Sequence, residues 1–118
     1  MIEVTCIDYL MGKTAAGNKV FAQRPKTPPD KYILIEKTGS SIRNMITTST
    51  VAVQSIVDGI RGKTLLDAME LNEEVKAAML DSITEDEIIK CELNSDYNWT
   101  DSSTKEYRYQ AVFEITHY

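Results

Sequence analysis

The stretch from Thr64 to about Ser82 constrains the fold of this 118-residue chain more than any other. At the roughly 100° that a helix turns per residue, its apolar side chains fall on one broad arc and its acidic side chains fall opposite. The apolar set is Leu65, Met69, Leu71, Val75, Ala78 and Met79, and the acidic set is Asp67, Glu70, Glu74 and Asp81. The pattern predicts an amphipathic helix that lies on a sheet, with Thr64 as its N-cap and Asp67 as the capping-box partner.

Five strand-like stretches surround this helix and predict the sheet. They are residues 19–25, 30–41, 44–57, 88–94 and 105–118. Residues 32–35 are apolar on both faces, which indicates a strand that is covered on both sides. Val51, Val53 and Val57 share one parity, so we expect one face of their strand to be buried and the other to contact water.

A shorter helix and two irregular segments complete the predicted order. The helix rests on four apolar residues at helical spacing, Val4, Ile7, Leu10 and Met11. Gly39–Ser41 predict a turn, the polar stretch 95–104 predicts a loop, and Ile89 is expected to share a side with Cys91. The whole predicts one α+β domain over residues 1–118, with two helices on one face of a mostly antiparallel sheet of about four to five strands.

Composition and charge limit the classes of protein to which the chain can belong. A formal net charge of −5 argues against a general phosphate-binding surface, because such surfaces gain affinity from clustered Lys and Arg. Cys6 and Cys91 have no CxxC or histidine companion, so we expect reduced thiols in apolar positions and no metal or other cofactor. The sequence shows no leader and no apolar run of membrane-spanning length, which predicts a cytosolic product without a membrane segment.

No set of residues has the spacing that a catalytic site requires. The one histidine, His117, is next to the last residue, where we expect a general base to be poorly held. The glycines never cluster in a phosphate-binding pattern. The acidic residues of the long helix predict a solvated face rather than a metal site or an acid–base pair. We therefore expect no enzyme, with a small enzyme acting through Asp or Glu carboxylates as the alternative.

Several segments together resemble a known family of virion proteins. They are PPDKYILIEKTGSS, TVAVQS, LLDAMELNEEVKAAM, KCELNSDYNWTD and KEYRYQAVFEITHY. These are similar to the small tail terminator or tail completion proteins of long-tailed bacteriophages of Gram-positive hosts. The resemblance covers residues 20–118, and its most specific pieces are IEKTG at 35–39 and the last twelve residues. The length of the loop 58–63 departs from the family pattern.

The resemblance implies a structural protein that catalyses no reaction. Members close into a ring, typically of six subunits, on the end of the tail tube, where the ring stops tube growth and offers a surface to the head connector or neck protein. DNA passes through such a ring without specific binding. The expected location is the virion tail, and the host cytoplasm before assembly.

Two sets of residues are candidates for contacts in such a ring. The candidates for the interface between subunits are Asp96, Tyr97, Trp99, Asp101, Arg24 and Lys26. Tyr97 and Trp99 either anchor such an interface or fold back over the sheet edge. The acidic set Asp67, Glu70, Glu74 and Asp81 could line the DNA channel, although outward solvent exposure is the favoured interpretation.

Two other functions remain as alternatives to the terminator. One is a neck or head-completion protein that binds on the connector side. The other, less favoured, is a small module that binds a host protein through Tyr97 and Trp99.

Overall fold

The computed structural model describes residues 1–43, 46–82, 85–100 and 105–118. Its elements are α1 (Ile2–Leu10), β1 (Val20–Phe21), β2 (Lys31–Arg43), β3 (Ile46–Asp58), α2 (Leu65–Leu80), β4 (Ile88–Asn98) and β5 (Glu106–His117). Neither of these helices has the length and hydropathy that a membrane crossing needs, a finding limited to the described part of the chain.

The five strands form one sheet in the order β1-β2-β3-β5-β4. β1 runs parallel to β2, and the other neighbouring strands are antiparallel. The main hydrophobic core joins residues of both helices to one face of the sheet. This architecture confirms the predicted α+β fold, with two helices against a mostly antiparallel sheet.

Strand β3 lies at the centre of the sheet and has a partner strand on each side. It pairs with β2 over residues 46–57 and with β5 over residues 47–58. Because successive side chains of a strand point to opposite faces, Val51 and Val53 face the helices and belong to the core. The even-numbered residues of β3 face away from the helices, on what we call the open face of the sheet.

The open face is more buried than the sequence pattern predicts. Val51, Val53 and Val57 are buried as predicted, but Ala52 and Ile56 on the opposite side are also only 1% exposed. The expectation that this whole side contacts water is therefore wrong for the second half of β3. Ile56 lies beside the fully buried Tyr32 of β2, and the Phe21 ring of β1 packs edge-on against Tyr32.

Helix α2 starts at the predicted capping box. The Thr64 hydroxyl accepts from the Asp67 backbone N–H, and the Asp67 carboxylate accepts from the Thr64 backbone N–H. The buried residues of α2 are Ala68, Leu71, Asn72, Val75 and Met79. Met69, which we predicted on the buried arc, is 41% exposed. The face of α2 that packs against the sheet is therefore narrower than the apolar arc that the sequence predicts.

Helix α1 exists as predicted, but it is rotated relative to the predicted apolar face. Val4 is 49% exposed and Met11 is 40% exposed. The buried side chains of α1 are Ile2, Cys6, Tyr9 and Leu10. Tyr9 extends its hydroxyl to the carbonyl of Ala78 in α2, 2.7 Å away, so a polar contact between the helices fixes this rotation.

Three irregular features were predicted wrongly, and each correction involves a bulge or a longer strand. Residues 39–41 belong to β2, because a register shift between Lys37 and Gly39 lets pairing with β3 continue. Residues 95–98 belong to β4 and pair with β5, so the predicted loop 95–104 starts too early. Ile89 was predicted to share a side with Cys91, but a register shift between Ile88 and Lys90 places Ile88 in the core and leaves Ile89 41% exposed.

The loop 58–63 is packed against Lys105 and the start of β5. The Gly59 amide donates to the Lys105 carbonyl at 3.0 Å. A Cβ placed on Gly59 would lie 2.7 Å from that carbonyl oxygen and 2.9 Å from the Tyr107 ring. Glycine is therefore needed here for close approach.

We expect Gly59→Ala to lower the free energy of unfolding by about 1–3 kcal/mol, because the added methyl group must displace backbone. Gly39→Ala is the matched control, since no atom lies within 4 Å of a Cβ at Gly39, and it should change stability by no more than about 0.5 kcal/mol. Urea unfolding of the two variants checks this. Equal stability of both variants would contradict the close packing of the loop.

Candidate interaction surface

Tyr97 and Trp99 form a tilted aromatic pair on the open face of the sheet. Tyr97 lies opposite Gln110 of β5, and Trp99 follows β4 with its amide donating to the Arg108 carbonyl at 2.8 Å. The two ring centroids are 5.7 Å apart and the rings are tilted by 56°. Strand pairing thus holds both rings on the same side of the sheet.

A chain of polar side chains positions Tyr97. The Gln54 amide nitrogen donates to the Gln110 side-chain oxygen at 3.0 Å, and the Gln110 amide nitrogen donates to the Tyr97 hydroxyl. Gln54 and Gln110 also lie opposite each other in the pairing of β3 with β5. This chain crosses three strands and anchors the aromatic pair to the centre of the sheet.

Tyr97 and Trp99 lie against the sheet and keep part of their rings exposed. Tyr97 folds onto the sheet through its hydroxyl, yet it is still 38% exposed, and Trp99 is 47% exposed. Tryptophan and tyrosine are the residue types that contribute most binding energy when a partner covers them. The pair therefore offers a preformed apolar surface on a held backbone.

Asp96 is separated from Tyr97 and faces the helices. Its carboxylate accepts from Lys76 Nζ at 2.9 Å and from Asn72 Nδ2 at 3.1 Å. A hydrogen bond to Glu73 and then one to Asp96 raise the pKa of Lys76. Asp96 thus ties β4 to α2 within the chain. Asp101, the next acidic residue of the candidate interface, lies outside the described residues.

Arg24 belongs to a second polar cluster, at the end of the sheet where β3 ends. Arg24 Nη2 lies 3.3 Å from Glu106 Oε2, and the Tyr32 hydroxyl donates to the same oxygen at 2.8 Å. Glu106 and Tyr32 are buried, whereas the Arg24 side chain is 55% exposed. Lys26, two residues further, is exposed. Arg24 therefore neutralises a buried carboxylate and still presents part of its surface to solvent.

The four predicted acidic residues of α2 do not converge on one site. Asp67 is in the capping box, where the Thr64 hydrogen bond is the main cause of its lowered pKa. Glu74 accepts from the Ala15 amide at 2.6 Å. Glu70 and Asp81 are exposed. In the described residues no group of three or more His, Cys, Asp or Glu side chains is arranged to hold a metal ion.

His117 is held more firmly than its position in the sequence suggests. It lies in β5, is 6% exposed, and shares a 2.8 Å hydrogen bond with the Ser49 hydroxyl. Its other ring nitrogen lies 3.0 Å from the Tyr118 carbonyl. The expectation of a poorly held histidine is wrong, because strand pairing extends to His117. Ser49 is only 1% exposed, so its hydroxyl is shielded from solvent.

Sequence reasoning missed Glu106, Gln54 and Gln110 as structural polar groups. A signal for the glutamines existed, because each is a polar residue within a predicted strand and has an apolar residue next to it, Val53 or Ala111. Glu106 had no such signal, since its burial depends on Arg24 and Tyr32 from distant parts of the chain.

Comparison with known proteins gives a likeness of fold. No protein-family model matches the chain, and no curated protein matches it. Among solved structures, the fold is similar to a chain in the virion of a native gene transfer agent (GTA) particle, with a TM-score of 0.64 and 12% sequence identity. The match covers 86% of this chain and 79% of that chain. At this identity the likeness shows a shared fold.

The buried Tyr32 hydroxyl makes stability sensitive to alkaline pH. Burial, and next the hydrogen bond to Glu106, raise the pKa of Tyr32 to about 12, whereas an unfolded tyrosine has a pKa of about 10. The stabilisation is therefore fully present below about pH 10 and is lost as pH rises towards 12. We expect Tyr32→Phe to lose about 1–3 kcal/mol at neutral pH, because a hydrogen bond to a buried carboxylate is removed.

The measurement is the free energy of unfolding of both proteins as a function of pH. The difference between wild type and Tyr32→Phe should shrink above about pH 10. A difference that stays constant through the alkaline range would contradict the raised pKa.

Proposed function

We propose that this chain is a structural protein of a phage-like virion, and specifically a tail terminator. In this role, copies of the chain form a ring of six on the end of the tail tube, stop its growth, and present a surface to the head connector. The proposed role includes no catalytic reaction. The observation that carries the proposal is the likeness of fold to a chain of a gene transfer agent virion, over 86% of this chain.

The surface of the subunit supports assembly into a ring. A ring needs a heterologous interface, in which two different patches of one subunit meet in neighbouring copies. The Tyr97–Trp99 pair is one apolar patch held on a rigid sheet. β4 is an edge strand, and β2 continues beyond the two residues that pair with β1. Such edges also accept partners.

The partners follow from this role. They are further copies of the chain, the tail tube protein, and a connector or neck protein. DNA would pass through the ring without specific binding, which the net charge of −5 favours by limiting phosphate attraction. The protein would be in the host cytoplasm before assembly and in the virion tail afterwards.

The direct test is to add the purified protein to growing tail tubes and, in a second experiment, to connector particles. A terminator caps tubes and shortens their length distribution in electron micrographs. Binding to connector particles, with tube length unchanged, would instead favour a neck or head-completion protein. A protein that binds neither particle would contradict both virion roles.

Trp99→Ala should raise the protein concentration required for capping at least tenfold, because the exposed indole is lost from the interface. Its 47% exposure predicts a small effect on folding. Tyr118→Ala is the matched control, since the Tyr118 side chain is 70% exposed and is also aromatic. Tube length measured against protein concentration checks this. Equal capping by both variants would contradict a contribution of Trp99 to the interface.

A further inference from the structure

Three segments meet at one end of the sheet and make it basic. They are residues 22–31, 58–63 and 105–108, which we call the basic end. The Asp58 amide donates to the Asp30 carbonyl at 2.9 Å, and Gly59 donates to Lys105 at 3.0 Å. Together the segments carry seven Lys or Arg and three Asp or Glu residues. The basic end thus has a net charge of +4 in a chain of net charge −5.

Ile60 stands exposed within the basic end. Its side chain is 74% exposed, and the Ile60 amide is fixed by Asp58 Oδ1 at 2.9 Å. Arg61 beside it is 53% exposed and pairs with Asp58 at 3.5 Å. An exposed apolar side chain next to Arg61, on a surface with an excess of Lys and Arg, is suited to a protein partner that has apolar and acidic groups side by side.

The outer side of α2 has that complementary composition. Residues 65–82 carry five Asp or Glu and one Lys, a net charge of −4. Because Ala68, Leu71, Val75 and Met79 face the sheet, the opposite side of the helix points outward. Its exposed apolar residues are Leu66 at 59%, Met69 at 41% and Leu80 at 49%. Glu70 and Glu73 are exposed beside them. We call this surface the outer α2 face.

We propose that the basic end of one copy binds the outer α2 face of a neighbouring copy. Ile60 would then lie against the Leu66–Met69–Leu80 stripe, with Arg61 and Lys26 opposite Glu70 and Glu73. This inference rests on the proposed ring and identifies two surfaces that would meet between neighbouring subunits of the ring. The basic end carries an excess of positive charge and the outer α2 face presents Glu70 and Glu73. This opposite charge favours a second copy as the occupant.

The two surfaces are separate enough for a head-to-tail contact. The α2 helix spans about 24 Å from Leu65 to Leu80 at the usual rise per residue, and the molecule is 48 Å long. The N-cap of α2, Thr64, follows Lys63 of the basic end directly, and Leu80 lies at the other end of the helix. The two patches are different surfaces of one chain, which is the property that a heterologous contact needs.

Charge reversal in trans tests the contact. The basic-end variant is Lys26→Glu with Arg61→Glu, and the α2 variant is Glu70→Lys with Glu73→Lys. Each variant alone should self-associate at least tenfold more weakly than wild type, because one surface no longer attracts the other. An equimolar mixture should recover association, since each variant keeps one unaltered surface that fits the other variant. Sedimentation velocity at low and high salt measures this.

The matched control is Asp8→Lys with Asp86→Lys, which changes the net charge as the α2 variant does but on exposed residues outside the sheet and outside both proposed surfaces. It should associate like wild type. Wild-type association should weaken as salt is added, since the Debye length falls to about 8–10 Å at physiological ionic strength. Circular dichroism of each variant verifies folding.

Several results would overturn the proposal. They are a wild type that stays monomeric at low salt, reversed variants that associate like wild type, and a mixture that does not recover. Binding of a short DNA duplex that the basic-end variant loses, with self-association unchanged, would assign the basic end to nucleic acid instead. A protein that caps tubes equally well with either reversal would overturn this contact and leave the terminator role standing. Salt-sensitive self-association of a protein that does not cap tubes would support this contact and contradict the terminator role.

Discussion

The central position of β3 determines both sides of the molecule. Because β3 has backbone partners on each side over nearly its whole length, its side chains must alternate between two surfaces. Val51 and Val53 on one side form the core with the helices. Gln54 on the other side begins the polar chain that holds Tyr97. Core packing and the candidate interface therefore share one strand and one register, and a slip by one residue would exchange them.

The elements that the sequence predicts best are those in which local signals and packing agree. The Thr64–Asp67 capping box was recognised and is present, because its contacts lie within one turn. The valines of β3 were also recognised. Where prediction failed, distant partners decided the outcome. Gly39 is inside a strand because β3 pairs across the bulge, and residues 95–98 are ordered by β5 rather than by their own composition.

The candidate site was predictable only in part for the same reason. Tyr97 and Trp99 were recognised as unusual in a polar stretch, and the structure brings them together. Asp96 was grouped with them by proximity in sequence, but the alternation of β4 sends it to Lys76 on the other side. Arg24 was predicted as an interface candidate, but its pairing with the buried Glu106 depends on the folded positions of β2 and β5.

The aromatic patch, the basic end and the acidic helix α2 lie on different surfaces, and under the proposed function they contact other subunits or the tail tube. Electron cryomicroscopy of tail tubes incubated with this protein tests that claim most directly. The proposed function predicts a closed ring at the tube end, in which Trp99 is covered by a neighbouring subunit or by the tube. Tube ends without added density, or a ring in which Trp99 faces solvent, would contradict it.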